Sequence, residues 1–320
     1  MVYWMQGETA LHFVFWSDLG MLYIIYYMVF RRNRMTILDD RTLPEGEQYD
    51  PHAESILKAI ERILPEAYED VWIESEDGLK LYARLYNMFE GAPVVLFFHG
   101  YRSSSIRDGN GIFELCKKYG YNIMMIDQRA HGRSEGMTMT FGIRERYDVL
   151  SWINYAIERF GKESKIVLAG ISMGAATVLM ASNLNLPENV KGIMADCPYS
   201  SPKEILCSVM KSLKLPAGLL YLFAKWGAGI YGRVNIEEIS AKEAVRESNV
   251  PILFIHGDDD RFVPCEMSQE CYDSCKSEKR IVFVKDAGHG ISYCVDGKLY
   301  EKEVASFMGK VLEKTPQYLS

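Results

Sequence analysis

Six short apolar runs punctuate the chain from residue 93 onward: Pro93–Phe98 (PVVLFF), Asn122–Asp127 (NIMMID), Lys165–Gly170 (KIVLAG), Val190–Asp196 (VKGIMAD), Pro251–His256 (PILFIH) and Arg280–Val284 (RIVFV). They lack the polar–apolar alternation of a half-buried strand, and such runs suit strands covered on both faces of a parallel sheet. Helical patterns separate most of them. Between Ile143 and Phe160, for example, Val149, Trp152, Ile153, Ala156 and Ile157 fall on one helix face. Strand and helix alternating in this way predict an α/β fold, a parallel sheet wrapped by helices. Upstream, Val71–Ser75 and Leu79–Asn87 flank Asp77-Gly78, a hairpin signal that adds an antiparallel edge. Earlier still, Pro51–Leu64 places Ile56, Ala59, Ile60, Ile63 and Leu64 on one helix face, and Pro65 ends it.

Two stretches depart from this rhythm. Ala10–Phe30 is almost wholly apolar or aromatic, and its 21 residues as helix would cover about 30 Å, the thickness of a bilayer's hydrocarbon core. Arg31, Arg32 and Arg34 follow at once. Residues 1–34 are therefore predicted to be a transmembrane anchor, with the arginines holding the rest of the chain in the cytoplasm. His12, Ser17 and Asp18 oppose spanning, and an interfacial helix or a helix packed on a soluble cytoplasmic domain are the alternatives. A cleaved signal peptide fits poorly, because no positive charge precedes the apolar run and no small-x-small site follows it. Residues 35–70 read as a polar, acidic connector with one helix, and 71–320 as the main domain. Within it, residues 201–245 form a long helical insertion rich in exposed-looking apolar side chains, among them Leu213, Leu219, Leu222, Trp226 and Ile230. Long insertions of this kind act as lids or caps over the strand ends.

Composition narrows the classes. With 48% hydrophobic and 25% charged residues, the 320-residue chain is an ordinary globular protein. A net charge of −7 argues against a general nucleic-acid surface. The seven cysteines are odd in number and contain no C-x-x-C pair, so neither a disulfide framework nor a metal site is predicted. They read as reduced, buried thiols, which favours a reducing compartment.

The chemistry-bearing residues fall just after strand ends, where open α/β sheets bind ligands. Gly170-Ile171-Ser172-Met173-Gly174 fits G-x-S-x-G between a strand and an apolar helix, the context of a nucleophile elbow. A serine hydroxyl needs a base to take its proton. Of the two histidines after Ser172, His256 lies within a strand end and reads as a packed residue. His289, in the loop Ala287-Gly288-His289-Gly290, is free to reach the site and is the predicted base. An acid should lie between them in sequence, and Asp258, Asp259 and Asp260 are three candidates that spacing does not separate. The backbone N–H groups of Met173, next to the nucleophile, and of Tyr101, after the PVVLFF strand, are the predicted oxyanion hole. His99 reads as structural. Asp127–Ser134 concentrates polar groups, but one Asp and one His make a thin metal site, and hydrogen bonding within the loop is the better reading.

Together these motifs resemble those of the α/β-hydrolase superfamily over roughly Val71 to Leu312. Phe98-His99-Gly100-Tyr101 matches its HG motif, and Asp127–Ser134 its D-x-R-G-H-G-x-S motif, with Ala130 in place of the usual glycine. His256-Gly257-Asp258-Asp259-Asp260-Arg261-Phe262-Val263-Pro264 matches H-G-x-x-D-x-x-V-P, which selects Asp260 as the acid, and Gly288-His289 matches the final G-H. The resemblance implies a mostly parallel central sheet, helices on both faces and a helical cap. Within the superfamily the chain is similar to bacterial hydrolases with an N-terminal membrane anchor, a short cap and a serine-aminopeptidase-like or esterase-like core.

The expectation is a serine hydrolase acting through Ser172, His289 and Asp260, most simply on a small or medium apolar acyl or aryl ester. No metal or organic cofactor and no nucleic-acid partner is called for. The same triad would serve an aminopeptidase or amidase, a thioesterase or a lipase, and Glu204, Glu237 and Glu238 are candidates to hold a substrate amine. A non-catalytic binding protein on the same fold is a further alternative.

Overall fold

The computed structural model describes residues 19–32 and 39–313. Eight strands form one sheet: β1 (Glu69–Glu74), β2 (Lys80–Tyr86), β3 (Val94–Phe98), β4 (Asn122–Asp127), β5 (Ile166–Ile171), β6 (Val190–Asp196), β7 (Ile252–Gly257) and β8 (Lys279–Val284). Their spatial order is β1-β2-β4-β3-β5-β6-β7-β8. The β1–β2 and β2–β4 pairs are antiparallel, and all others are parallel. The six apolar runs are the parallel strands. β3, β5 and β7 are buried at every position, because the sheet is covered on both faces. β8, equally apolar to the eye, is only partly buried, because it closes the sheet at an edge.

The helices are α1 (helical across residues 19–29), α2 (Ala53–Ile63), α3 (Ser105–Asp108), α4 (Asn110–Tyr119), α5 (Glu145–Phe160), α6 (Met173–Ala181), α7 (Pro202–Ser212), α8 (Ala217–Gly232), α9 (Ala241–Ala244), α10 (Glu266–Ser274), α11 (Ser292–Val295) and α12 (Gly297–Val311). The pleat of β3 divides its side chains between two cores. Val94, Leu96 and Phe98 pack with α5, α6 and α10, whereas Val95 and Phe97 pack with α2, α4 and α12. The helix expected before Pro65 is α2, and it buries Ile56, Ala59, Ile60 and Ile63. Residues 39–64 thus lie against the same core as the sheet.

α7 and α8 are inserted between β6 and β7, within the stretch expected to be a cap. Their outward side chains Leu213, Leu219, Leu222, Trp226 and Ile230 are exposed. All seven cysteines are unpaired.

Of the expected membrane anchor, residues 1–18 and 33–34 lie outside the described residues. The described part is a helix that packs one face on the domain and leaves Met21, Ile24, Tyr27 and Met28 exposed on the other. Leu22, Tyr26 and Phe30 are buried. Gly227 of α8 lets the backbone of Leu22 approach so closely that a Cβ there would lie 2.8 Å from its carbonyl oxygen. Tyr23 and Tyr26 pack on Tyr231 with ring centroids 5.2 and 5.7 Å apart. Of the basic residues after the helix, Arg31 and Arg32 are described. The Arg31 backbone forms an isolated β-bridge with Thr138 and its guanidinium lies over the Tyr27 ring, and the Arg32 guanidinium donates to Gly132 O and Ser134 O at 2.6 Å each. Among the described residues no helix is long and apolar enough to cross a membrane.

Candidate active site

β5 delivers Ser172 into a tight turn before α6. Its φ of 54° and ψ of −114° lie in the strained region that elbow serines occupy. The turn closes because its glycines carry no side chain. A Cβ on Gly174 would lie 1.9 Å from Phe98 O, and one on Gly170 would lie 2.4 Å from the Gly174 carbonyl carbon. The Ser172 N–H donates to Asp196 O at 2.8 Å, which pins the turn to β6.

The loop after β8 brings His289 over the sheet. Its Nε2 lies 2.9 Å from Ser172 Oγ and its Nδ1 lies 2.7 Å from Asp260 Oδ2. A carboxylate only accepts, so Nδ1 carries the proton and Nε2 is left to accept from the serine hydroxyl. The three aspartates after β7 now separate. Asp258 accepts from Asp286 N–H, and Asp259 pairs with Arg261 and Gln48. Asp260 alone turns inward. Its Oδ1 accepts from the N–H groups of Phe262 and Val263, and its Oδ2 from His289 and His256.

His256 is the contact that sequence reasoning passed over. Its Nε2 faces two acceptors, Asp260 Oδ2 at 3.1 Å and Val263 O at 2.9 Å, so Nε2 carries the proton. Nδ1 accepts from the Ser268 hydroxyl at 2.6 Å. The four-residue spacing of His256 and Asp260 in the H-G-x-x-D motif was the available signal.

Burial alone would raise the Asp260 carboxyl. The charge of His289 and the hydrogen bonds from His256 and His289 outweigh it and hold the group well below the carboxylate range. Burial lowers His289, but the charge and hydrogen bond of Asp260 prevail and raise it above its ordinary value. Cys197, Asp260 and His289 are the one group of three possible metal donors clustered among the described residues. Burial and the neighbouring Asp196 push the Cys197 thiol well up, so it lacks the thiolate character of a ligand, and both other donors are already committed.

The loops that follow β3 and β4 lock together. His99 Nδ1 donates to Gly100 O at 2.7 Å, and its Nε2 accepts from Gln128 N at 3.1 Å. His131 Nδ1 donates to Arg129 O, and its Nε2 accepts from Arg102 N at 3.0 Å. With all four ring nitrogens engaged, these histidines are structural. Asp127 receives Arg133 N–H and the Ser105 hydroxyl and does not meet His131 in a metal pair. On either side of Tyr101, Gly100 N donates to Asp108 Oδ2 and Arg102 N to His131. Among the described residues Tyr101 N–H has no assigned acceptor. Met173 opens α6, so no helical carbonyl reaches its N–H either.

An eight-stranded sheet with this order, carrying a serine elbow, a histidine loop and an acid after β7, has the α/β-hydrolase fold, which the chain shares with the solved hydrolases it resembles. The serine aminopeptidase (S33) family model matches residues 90–238. An esterase of Pyrococcus furiosus, Pf2001, superposes with a TM-score of 0.63 at 27% identity, covering 78% of this chain and 93% of that one. The uncharacterized protein YqkD of Bacillus subtilis is 26% identical over 61% of this chain, and the match spans 65% of its own length. The α/β hydrolase domain-containing protein WAV2 of Arabidopsis thaliana is 25% identical over 76% of this chain and 79% of its own.

Proposed function

We propose that the protein is a serine hydrolase cleaving carboxylic esters through an acyl-enzyme. The observation that carries this reading is the unbroken relay from Asp260 through His289 to Ser172, at 2.7 and 2.9 Å, on a strained elbow at the strand ends. Ser172 Oγ attacks the ester carbonyl carbon while His289 Nε2 takes the hydroxyl proton and Asp260 stabilises the resulting imidazolium. The N–H groups of Tyr101 and Met173 hold the oxyanion. As the tetrahedral intermediate collapses, His289 returns the proton to the departing alcohol oxygen and the acyl group stays on Ser172. Water then attacks the acyl-enzyme, giving its proton to His289, which returns it to Ser172 Oγ as the carboxylic acid leaves.

An ester is favoured over a substrate with a free amine by what surrounds Ser172. Glu237 is held by Tyr221 and Lys225, and Glu238 by Arg146. Neither they nor Glu204 line the space around the serine. Asp108, which does, already accepts from Gly100 N and Arg107.

A fluorophosphonate probe should label the wild type and not Ser172→Ala, and the variant should lose at least about 10³-fold in p-nitrophenyl ester hydrolysis. Aminoacyl p-nitroanilides should be poor substrates beside the esters. A folded wild type that takes no label would point instead to a binding protein on this fold.

A further inference from the structure

Ser172 stands where two chambers meet. One, of about 320 Å³, contains His289 along with Tyr49, Ser103, Arg107 and Asn110. The other, of about 380 Å³, does not contain His289 and is walled by Phe141, Tyr199, Leu206 and Val209 of the domain and by Ile25 and Val29 of α1. Its one charged side chain is Arg102, whose guanidinium is turned to Met28 O and lies over the Tyr101 ring.

We infer that this second chamber is the pocket for a straight fatty-acyl chain, and that α1 is one of its fixed walls. The inference rests on the serine-hydrolase reading and names its substrate class: medium-chain fatty-acyl esters. Direction follows from proton transfer. His289 must reach the alcohol oxygen as it departs, so the alcohol lies in the chamber that holds His289. The acyl chain, on the other side of the carbonyl carbon, extends into the chamber that does not. Size follows from volume. At about 30 Å³ for a water-sized group, which a methylene resembles, the chamber holds roughly a dozen such groups. Its walls are almost entirely apolar, so each methylene buried there should raise kcat/KM by up to about fourfold until the space is full.

α1 is held in place by the loop that carries the proposed oxyanion donor. The Tyr101 hydroxyl donates to Val29 O at 2.7 Å and Arg102 Nη2 to Met28 O at 2.5 Å, so the last carbonyls of α1 are capped from the active site. Met139 N–H donates to Phe30 O at 2.7 Å on its other flank. Ile25 and Val29 lie outside the stretch that the family model covers, so this wall belongs to this chain's own N-terminal segment.

The test combines kinetics with binding on the full chain. Wild-type kcat/KM for p-nitrophenyl esters should climb from acetate to an optimum at about eight to twelve carbons. Val29→Trp, which fills the chamber from α1, should lower the dodecanoate-to-butyrate ratio at least tenfold. Met210→Ala, which enlarges the chamber from α7, should move the optimum to longer chains. Separately, Ser172→Ala should bind sodium decanoate in calorimetry, and adding Val29→Trp should weaken that binding at least tenfold. Decanoate binding of this kind without ester hydrolysis would keep the chamber and discard the serine-hydrolase reading. Hydrolysis with an unmoved chain-length profile in both variants, or no decanoate binding, would discard the chamber alone. Should Val29→Trp fail to fold, the Met210→Ala profile and the decanoate titration of Ser172→Ala decide.

Discussion

His289 is pulled in two directions. Burial disfavours its charged form, the Asp260 carboxylate favours it, and the balance lies above the ordinary value of 6.5. On the proposed mechanism the base must be neutral, so activity is present above the folded pKa and lost as pH falls through it. The acid limb of kcat/KM against pH should therefore have its midpoint above 6.5. Asp260→Asn should lower kcat by about 10⁴-fold and move that midpoint down. A midpoint unmoved by the substitution would mean that Asp260 does not govern the ring. Ser172 and His289 were legible because a tight turn and a flexible G-H loop leave marks in local sequence. The acid was not legible from spacing, since three adjacent aspartates differ only in where the chain turns after β7; the motif resemblance chose the one that the fold points inward. Ala130 is a local departure with a visible cost. It sits at φ +62°, where the usual glycine would be unstrained.

The loop between β4 and α5 shows why a polar cluster need not be a reactive one. Arg129 forms a two-point pair with Asp148 of α5, at 2.6 Å for each contact, and a second with Asp77 of the β1–β2 turn. One guanidinium thus ties the hairpin, the loop and a helix together. Burial raises the Asp148 carboxyl to about 6 even against the pull of Arg129. Arg129→Met would leave it buried without a cation, costing about 3–5 kcal/mol. The sign with pH follows from the folded pKa rising further above the unfolded one. The variant should be least impaired at pH 5, where Asp148 is protonated, and progressively worse toward pH 8, as read by urea denaturation at each pH. At this scale the strands were readable because residues buried on both faces must be apolar. That β8 is an edge was not readable, since its run resembles the others and only the order of strands exposes one side.

Across the whole molecule, the N-terminal helix is part of the domain's architecture. Phe30 is fully buried and meets Phe141 edge-on with centroids 5.5 Å apart, and Phe141 in turn stacks on Tyr101. Phe30→Ala should lower the stability of the whole domain by about 3–5 kcal/mol in chemical denaturation. A change within a few tenths of a kcal/mol would mean that α1 rests on the surface without belonging to the core. Residues 39–64 reach the site too. Leu43, Pro44, Tyr49 and Ile56 line the chamber that holds His289, although the segment reads as a polar connector.

Sequence by itself determined the alternation of buried strands and amphipathic helices, and with it the sheet. It also marked the elbow, the histidine loop and the loop after β3. Those features are local: a strand buried on both faces must be apolar, and a turn this tight must have glycines. Tertiary structure alone decided which aspartate faces His289, that His256 supports it from behind, and that β8 lies at an edge. It also decided the fate of the described part of the N-terminal apolar stretch. Apolarity states that a surface leaves water and says nothing of what covers it. Here one face of residues 19–32, that of Leu22, Tyr26 and Phe30, is covered by α8 and by the loop around Met139, while Met21, Ile24, Tyr27 and Met28 on the other stay exposed.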